Sequence, residues 1–255
     1  MKLVIIGSGN VATVLGRKFK AAGHQILQVA GRNTSKVRSL ATEWNSDWIK
    51  NFDKINQQAE IYLIAVNDDA ITDVAANLNL SGKIVAHTAA SVSKDILKNV
   101  TDHFGVFYPL QSLRKEMTEL PVIPICYDGS SEKALKSLEA LAVSISPSHV
   151  SIAGDETRSK LHLAAVFANN FSNHLYTLVE EYCKKERINF KELFPLIEET
   201  ASRLKHISPQ ISQTGPAVRK DEETIKKQLA MLVDDPELKK IYECMTGSIL
   251  SFKNK

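Results

Sequence analysis

The stretch that decides the fold lies at the amino terminus and reads Leu3-Val4-Ile5-Ile6-Gly7-Ser8-Gly9-Asn10-Val11-Ala12. Its first four residues are all branched and apolar, a pattern typical of a strand buried on both faces of a parallel sheet. Apolar residues then recur at helical spacing at Val14, Leu15 and Phe19, which predicts a helix behind the glycines. A strand, a glycine-rich turn and a helix in this order predict a dinucleotide-binding loop.

The small residues of this loop each have a physical purpose. Gly7 permits a tight turn, Gly9 lets the backbone approach a pyrophosphate, and Ala12 lets the helix pack closely on the strand. Free N–H groups at the start of the helix would then bind the phosphates. We therefore expect cofactor contacts from Gly7, Ser8, Gly9, Asn10, Val11 and Ala12. A tight turn without a ligand is the structural alternative.

The end of the second predicted strand distinguishes between the two nicotinamide cofactors. An NAD site carries an acidic residue there, about 20 residues past the glycines. This chain instead has Gly31-Arg32-Asn33-Thr34-Ser35-Lys36. A guanidinium and short polar side chains suit a 2′-phosphate, which a carboxylate would repel. Arg32 and Asn33 therefore predict NADP(H), and the alternative for Arg32 is an exposed cation in a loop.

Strand-like and helical segments alternate along roughly the first 150 residues. Further strands are predicted at 26–30, 61–66, 83–87, 105–108 and 122–126, with helical patterns between several of them. From Asp155 onward the pattern is helical. We expect an α/β fold with a Rossmann-like, doubly wound parallel sheet over residues 1–153, which binds the nucleotide, and an all-helical domain over residues 154–255.

Composition argues against several classes of function. The formal net charge of +3 is small and scattered, so a nucleic-acid surface is not expected. The three cysteines are widely separated and form no C-x-x-C pair, which argues against a disulfide framework and a metal site. No run approaches the roughly 18 apolar residues of a membrane span. We expect a cytoplasmic protein whose partner is a small-molecule substrate, with no metal, nucleic acid or membrane.

Polar residues also follow the strands predicted at 61–66 and 83–87. Ligands of open α/β sheets bind at the carboxyl ends of strands, so Val66, Asn67 and Thr88 are expected to contact the cofactor. His87 ends the second of these strands and is a candidate proton donor for hydride transfer. Its alternative role is that of an imidazole satisfied by backbone groups. Helix caps are the simpler interpretation of Asp68, Asp69 and Ser91.

A resemblance that spans nearly the whole chain rests on Ala30-Gly31-Arg32-Asn33, His87-Thr88-Ala89-Ala90-Ser91, Phe107-Tyr108-Pro109-Leu110-Gln111-Ser112, the segment 161–171 and Thr214-Gly215-Pro216-Ala217-Val218-Arg219-Lys220-Asp221. These motifs resemble a family of Rossmann-like proteins with a DUF2520 carboxyl-terminal domain. More distantly, the chain is similar to pyrroline-5-carboxylate reductase, ketopantoate reductase and the 3-hydroxyacid dehydrogenases. The resemblance implies an NADP-dependent oxidoreductase that forms a homodimer through its helical domain, which also holds the substrate.

The long helical segment carries the candidate substrate residues. His162, Asn169 and Asn173 recur at intervals of seven and four residues, which places them on one face of an α-helix. Polar side chains on an otherwise apolar helix need partners, and the cleft between the domains would supply them. We expect His162 and Asn169 to be catalytic, and Asn173 and the adjacent Asn170 to bind substrate. Polar contacts across a dimer interface are the alternative.

Two residues near the carboxyl end are assigned mainly through the resemblance. Thr214 lies where pyrroline-5-carboxylate reductases carry a glycine- and threonine-rich substrate loop. Arg219 follows, and its guanidinium fork matches the two oxygens of a carboxylate. We expect both to bind substrate. The alternative is a turn followed by a helix cap at Asp221, and this alternative accounts for Asp221 itself.

These features predict an NADP(H)-dependent oxidoreductase that transfers hydride to or from a small carbonyl or imine substrate, which we expect to bear a carboxylate. An NADP-binding sensor or scaffold without turnover is the alternative. It is motivated by Lys160, because related hydroxyacid dehydrogenases follow a catalytic lysine with an asparagine where this chain has Ala164. A deazaflavin-dependent reductase is a third hypothesis, for which the sequence shows no obvious pocket.

Overall fold

The computed structural model of the chain describes residues 1–117 and 119–252. The chain forms two compact units, Met1–Asn169 and Asn170–Lys255. An eight-stranded sheet lies in the first unit, and the described part of the second is helical. The predicted α/β fold followed by a helical region is therefore confirmed. The domain boundary expected near residue 153 divides the chain by sequence pattern, and it stays a prediction.

The sheet has the strand order β3-β2-β1-β4-β5-β6-β7-β8. Its strands are β1 (Lys2–Ile6), β2 (Gln25–Ala30), β3 (Asp47–Ile49), β4 (Ile61–Ile64), β5 (Ile84–His87), β6 (His103–Pro109), β7 (Ile125–Gly129) and β8 (Val150–Ile152). The pairs from β3 across to β6 are all parallel. The order reverses at β1, which has β2 on one side and β4 on the other, and ligands of such sheets bind at this switch point. We call the edge formed by the carboxyl ends of β1, β2, β4, β5 and β6 the carboxyl edge.

One strand departs from the predicted parallel sheet. β7 runs antiparallel to β6, and β8 then pairs parallel with β7. A parallel neighbour would need a crossover, which is usually a helix. The described residues of the segment 110–124 contain no helix, so the chain returns directly beside β6. The sequence also gave no indication of β3, a three-residue edge strand without an apolar run.

Alternate side chains of the strands enter two different cores. Leu3 and Ile5 belong to one buried cluster, whereas Val4 and Ile6 belong to another. Both faces of the sheet are therefore covered, as the unbroken apolar pattern of β1 predicts. The helices of the first unit are α1 (Asn10–Ala21), α2 (Thr34–Trp44), α3 (Ile71–Ala76), α4 (Glu132–Ile145) and α5 (Asp155–Ala165).

The second unit is helical and exposes much apolar surface. A π-helical segment (Val166–Phe171) continues from α5, and the helices that follow are α6 (Ser172–Lys185), α7 (Phe194–Arg203), α8 (Pro209–Ser212), α9 (Pro216–Arg219), α10 (Glu222–Met231) and α11 (Pro236–Phe252). Within the described residues 170–252 of the single chain, only Cys183, Ala217 and Leu232 are buried. Among all described helices, none combines the length and apolar character that a membrane crossing requires.

Candidate active site

The turn after β1 is built on a glycine that the fold itself requires. Gly7 has φ of 131°, a conformation that L side chains rarely adopt. Its N–H donates to the carbonyl oxygen of Ala30 at 2.8 Å. A Cβ on Gly7 would lie 2.0 Å from the carbonyl oxygen of Ala65, so any side chain would displace the end of β4. The turn that brings the chain across the carboxyl edge therefore depends on this position.

The start of α1 is open, and this is the feature that suits a phosphate. Gly9 is the N-cap, and it provides no side chain to accept from the first N–H groups. A Cβ on Gly9 would meet nothing within 4 Å, so protein packing does not explain the glycine. The free N–H groups of Asn10, Val11 and Ala12 sit at the positive end of the helix, where an anion is stabilised. Ala12 is itself fully buried against the sheet.

A cavity of about 340 Å³ lies over this loop. Its walls combine the glycine turn, the end of β2 and the end of β4, so it spans the switch point of the sheet. The residues predicted for the cofactor that line it are Gly7, Ser8, Gly9, Arg32, Asn33, Val66 and Asn67. These residues fit a dinucleotide phosphate: an uncapped helix start, a turn that excludes side chains and a cation at the end of β2.

Arg32 and Asn33 differ in their contacts: Arg32 is exposed, whereas Asn33 caps a helix. Arg32 is exposed and makes no ion pair among the residues that the structure describes. The Asn33 side-chain oxygen caps α2 by accepting from the N–H of Lys36 at 3.1 Å. Thr34 and Ser35 follow as the first residues of the helix. The Asn33 amide nitrogen and the Arg32 guanidinium are thus available to a ligand.

The end of β4 corrects a prediction about helix caps. Asn67 is the N-cap of a short 3-10 helix, Asp68–Ala70, and its side chain makes no capping hydrogen bond. Asp68 and Asp69 lie within that turn, so the prediction that one of them caps the helix is wrong. Because the backbone carbonyl of Asn67 takes the capping bond from Ala70, its exposed side chain stays available to the cavity.

His87 is fully buried at the end of β5, with both ring nitrogens engaged by backbone. Its Nδ1 accepts from the N–H of Ala89 at 3.2 Å, and its Nε2 lies 3.3 Å from the carbonyl oxygen of Ser93. Burial lowers the pKa of His87 to about 4, with the Ser93 bond opposing. This geometry favours the backbone-satisfied alternative over proton donation. Thr88 is also buried, and its hydroxyl donates to the Ile64 carbonyl oxygen at 3.4 Å.

A buried arginine holds the loop that follows β5, and sequence reasoning missed it. The Arg158 guanidinium is fully buried and donates to the carbonyl oxygens of Ala90 at 2.8 Å and Val92 at 2.6 Å. It also donates to the carboxylate of Asp155 at 2.8 Å. Burial alone would raise the pKa of Asp155, but hydrogen bonds from Ser93 and Arg158 outweigh it, so the pKa lies below the usual range.

The same loop corrects another predicted cap. Ser91 is exposed, and the short 3-10 helix that begins at Lys94 is instead capped by Ser93, whose hydroxyl oxygen accepts from the N–H of Asp95 at 3.3 Å. The interpretation of Ser91 as a helix cap is therefore wrong.

His162 meets a tyrosine from the end of β6. The Tyr108 hydroxyl lies 3.0 Å from Nδ1 of His162, and the two rings are in edge contact with centroids 6.1 Å apart. Tyr108 is 8% exposed, and burial raises the pKa of its hydroxyl. The sequence does not indicate this role for Tyr108, because nothing in it pairs Tyr108 with a residue 54 positions away.

The predicted polar stripe does not continue along one α-helix. A π-helical segment, Val166–Phe171, separates α5 from α6 and contains both Asn169 and Asn170. A wider turn changes the angle between successive residues, so intervals of seven and four no longer define one face. Asn169 accepts from the Ser112 hydroxyl at 2.6 Å. Asn173, on α6, lines a groove with Phe190 and other residues of its own unit.

The loop at 214–221 is formed as a turn followed by a capped helix. Thr214 is exposed, and Gly215 has φ of 110°. Asp221 caps α10, its carboxylate accepting from the N–H of Thr224 at 3.1 Å, so the predicted cap is confirmed. Arg219 is exposed, and its guanidinium makes no hydrogen bond among the described residues. The substrate contacts expected from Thr214 and Arg219 stay predictions.

Two family descriptions match the chain. Residues 2–91 match the family described as NADP oxidoreductase coenzyme F420-dependent. Residues 123–249 match the domain of unknown function DUF2520. A search of curated proteins gave no match.

Several solved structures are similar over nearly the whole chain. A Bacteroides fragilis protein, provisionally described as an NADP oxidoreductase, is 35% identical with a TM-score of 0.89, covering 98% of both chains. Pyrroline-5-carboxylate reductase from Streptococcus pyogenes is 16% identical with a TM-score of 0.63, covering 98% of both. A reductive aminase from Aspergillus terreus, solved with NADPH and ethyl-5-oxohexanoate, is 17% identical with a TM-score of 0.63, covering 98% of this chain and 89% of its own. At such identities the last two show the shared fold alone.

Proposed function

The chain belongs to the NADP oxidoreductase family and carries a DUF2520 domain, and from this premise we propose that it transfers hydride between NADP(H) and a small carbonyl or imine substrate. One observation carries the proposal. The uncapped start of α1 opens into a cavity that also contains Arg32, the residue at the position where an NAD site has a carboxylate. The free N–H groups of the helix start and the Arg32 guanidinium are both donors suited to phosphate.

The cofactor half of the site follows from these residues. The first N–H groups of α1 hold the pyrophosphate, and the backbone of Gly9 lets it approach. Arg32 holds the 2′-phosphate through charge-assisted hydrogen bonds. Asn67 and Val66 line the side of the cavity formed by β4. When bound in this cavity, NADPH would supply the hydride.

The substrate half rests on polar side chains near the ends of β5 and β6. His162 and Asn169 are proposed to orient the substrate or exchange a proton with it. His162 is hydrogen-bonded to Tyr108 and Asn169 to Ser112, and each side chain has a second polar group that can meet the substrate. His87 acts through the loop that it holds. Asn170, Asn173, Thr214 and Arg219 are proposed substrate contacts, with Arg219 the candidate for a substrate carboxylate because its fork is unoccupied.

A panel assay tests this function. Purified protein would be mixed with NADPH and, separately, pyruvate, acetoacetate, 1-pyrroline or 1-pyrroline-5-carboxylate, and the loss of absorbance at 340 nm followed. We expect oxidation with at least one compound, and with 1-pyrroline-5-carboxylate over 1-pyrroline if a carboxylate is required. NADPH binding without oxidation across the panel would favour the sensor or scaffold.

A deazaflavin reductase is the second candidate, favoured by the family description that matches residues 2–91. Its test is a parallel sample in which oxidised coenzyme F420 replaces the carbonyl or imine. Reduction of F420 by NADPH at a higher rate than any panel compound would establish this alternative. Absence of that reduction, with panel turnover present, would exclude it.

We also propose a homodimer formed through the helical unit. The unit has few buried residues in the single chain, and its exposed apolar side chains include Leu196, Leu204, Ile211, Met231, Val233, Met245 and Phe252. So much exposed apolar surface is unusual for a monomer. Sedimentation equilibrium should give twice the chain mass of 28.3 kDa. A single-chain mass at micromolar concentration would contradict the dimer.

A further inference from the structure

The contact between Tyr108 and His162 joins residues from different elements. Tyr108 is the penultimate residue of β6, and His162 lies in the last turns of α5. The hydroxyl is 3.0 Å from Nδ1, and the rings meet edge to face at an interplanar angle of 80°. The Nε2 atom of His162 makes no hydrogen bond to any residue that the structure describes. One nitrogen is thus held while the other is available.

The pair lies along the carboxyl edge, on the side expected for the reacting half of a dinucleotide. β5 and β6 pair with His87 opposite Val106, so Tyr108 falls level with the loop that follows His87. Arg32 follows β2, on the other side of β1. A dinucleotide crossing the switch point at β1 therefore has its second nucleoside towards β4 and β5. Tyr108 is one strand further, about 5 Å beyond β5.

We propose that Tyr108 is a positioning residue that fixes the His162 ring, and that Nε2 of His162 exchanges the proton in the reaction. The inference rests on the proposed function. In the reducing direction a C–H bond forms at the carbonyl carbon from the hydride of NADPH, and the carbonyl electron pair moves to oxygen. That oxygen takes the proton from Nε2 of the charged ring. NADPH leaves as NADP⁺, and His162 regains a proton from water.

The hydroxyl suits this task because it can serve Nδ1 in both states of the ring. It accepts from Nδ1–H of the charged ring and of the neutral ring that is left when Nε2 has given up its proton. After rotation it donates to the bare Nδ1 of the resting neutral ring, whose proton lies on Nε2. Tyr108 itself keeps its proton: burial raises the pKa of its hydroxyl, Cys126 and Asp68 add to this, and Arg158 opposes. Histidine is the side chain that exchanges protons near neutral pH.

A double-mutant cycle tests the coupling, using the panel compound that wild type turns over fastest. Tyr108→Phe keeps the ring contact and removes the hydroxyl, and we expect kcat to fall roughly tenfold, the worth of one hydrogen bond. KM and the NADPH dissociation constant should not change. In a His162→Gln background the same substitution should have no further effect on kcat. Tyr127→Phe is the matched control, because it removes a tyrosine hydroxyl from the neighbouring strand β7.

A second readout is independent of turnover. Nitrogen-15 NMR of the neutral His162 ring should show the proton on Nε2 in wild type and in Tyr127→Phe, and a mixture of tautomers in Tyr108→Phe. A proton on Nδ1 in wild type, or equal losses of kcat in both backgrounds, overturns the inference while the proposed function stands. NADPH binding with no turnover of any panel compound overturns the proposed function, and this inference with it.

Discussion

Two glycines in the loop after β1 are needed for different reasons. A Cβ on Gly7 would lie 2.0 Å from the carbonyl oxygen of Ala65, and the residue has φ of 131°. Gly9 has ordinary backbone angles, with φ of −84°, and a Cβ there would meet no protein atom within 4 Å. The first glycine therefore serves the fold. The second leaves open the space above the start of the helix, which the proposed pyrophosphate would occupy.

Paired alanine substitutions separate these two purposes. Gly7→Ala should lower the free energy of unfolding by about 2 kcal/mol or more, because of the left-handed backbone and the clash. Gly9→Ala should change it by less than about 1 kcal/mol but weaken NADPH binding by roughly tenfold or more. Urea unfolding and a fluorescence titration measure the two quantities. Equal NADPH affinity in wild type and Gly9→Ala would count against the assigned phosphate site.

His87 makes the stability of the first unit depend on pH. Its folded pKa of about 4 lies below the ordinary value of 6.5, so the folded protein prefers the neutral ring. That preference stabilises the fold fully above pH 6.5 and is lost as the pH falls from 6.5 to about 4.

His87→Asn removes this titration while keeping a hydrogen-bond acceptor. Between neutral pH and the folded pKa, the free energy of unfolding of wild type should fall by up to about 3 kcal/mol more than that of the variant. The lowered pKa of His24 is present in both proteins, so its effect cancels in the difference. Parallel curves for the two proteins from urea unfolding at several pH values would show that His87 does not carry the effect.

At the scale of elements, the loop between β5 and the next 3-10 helix is held from both sides. His87 hydrogen-bonds to Ala89 near its start and to Ser93 at its end, and Arg158 of α5 donates to Ala90 and Val92 between them. These bonds join the carboxyl edge of the sheet to α5, the helix that carries His162. The loop is therefore tied by hydrogen bonds both to the end of β5 and to α5.

Arg158→Met removes the hydrogen bonds to Ala90 and Val92 and keeps most of the buried side-chain volume. We expect the free energy of unfolding to fall by about 3 kcal/mol, since several hydrogen bonds are lost and buried carbonyls are left unpaired. Lys160→Met is the matched control on the same helix, because Lys160 pairs with Glu156 on an exposed surface. Its effect should stay within about 0.5 kcal/mol. If urea unfolding gives equal losses of unfolding free energy for both variants, Arg158 does not hold the loop as described.

The elements also show what local pattern can predict. The strand at 61–64 and the helix at 10–21 follow from apolar spacing, because each buries a regular face. Apolar spacing does not predict the antiparallel direction of β7, which depends on the absence of a crossover. It also does not predict the π-helical segment, which depends on packing. Arg158 illustrates the limit most clearly: a guanidinium in a helical sequence indicates an exposed face, and only the fold supplies the carbonyls that bury it.

At the scale of the whole molecule, the sequence indicates candidate cofactor residues more directly than candidate substrate residues. The first unit has a doubly covered sheet, and its cofactor residues can be proposed from the sequence because a phosphate loop is encoded in adjacent residues. The proposed substrate residues are scattered over the sequence, from His162 to Arg219, and their partners depend on contacts that spacing does not encode. Family membership and fold establish an NADP oxidoreductase, whereas the substrate depends on those scattered residues.

The central claim is that this chain selects NADP(H) through the loop after β1 and the cation after β2. Isothermal titration of wild type with NADPH and with NADH tests it directly, alongside Arg32→Gln and the control Arg38→Gln, whose guanidinium instead stacks on Trp48. We predict tighter binding of NADPH than of NADH, and a loss of roughly 10- to 100-fold in NADPH affinity for Arg32→Gln alone. Failure of wild type to bind NADPH, or equal affinity for the two cofactors, would contradict the account.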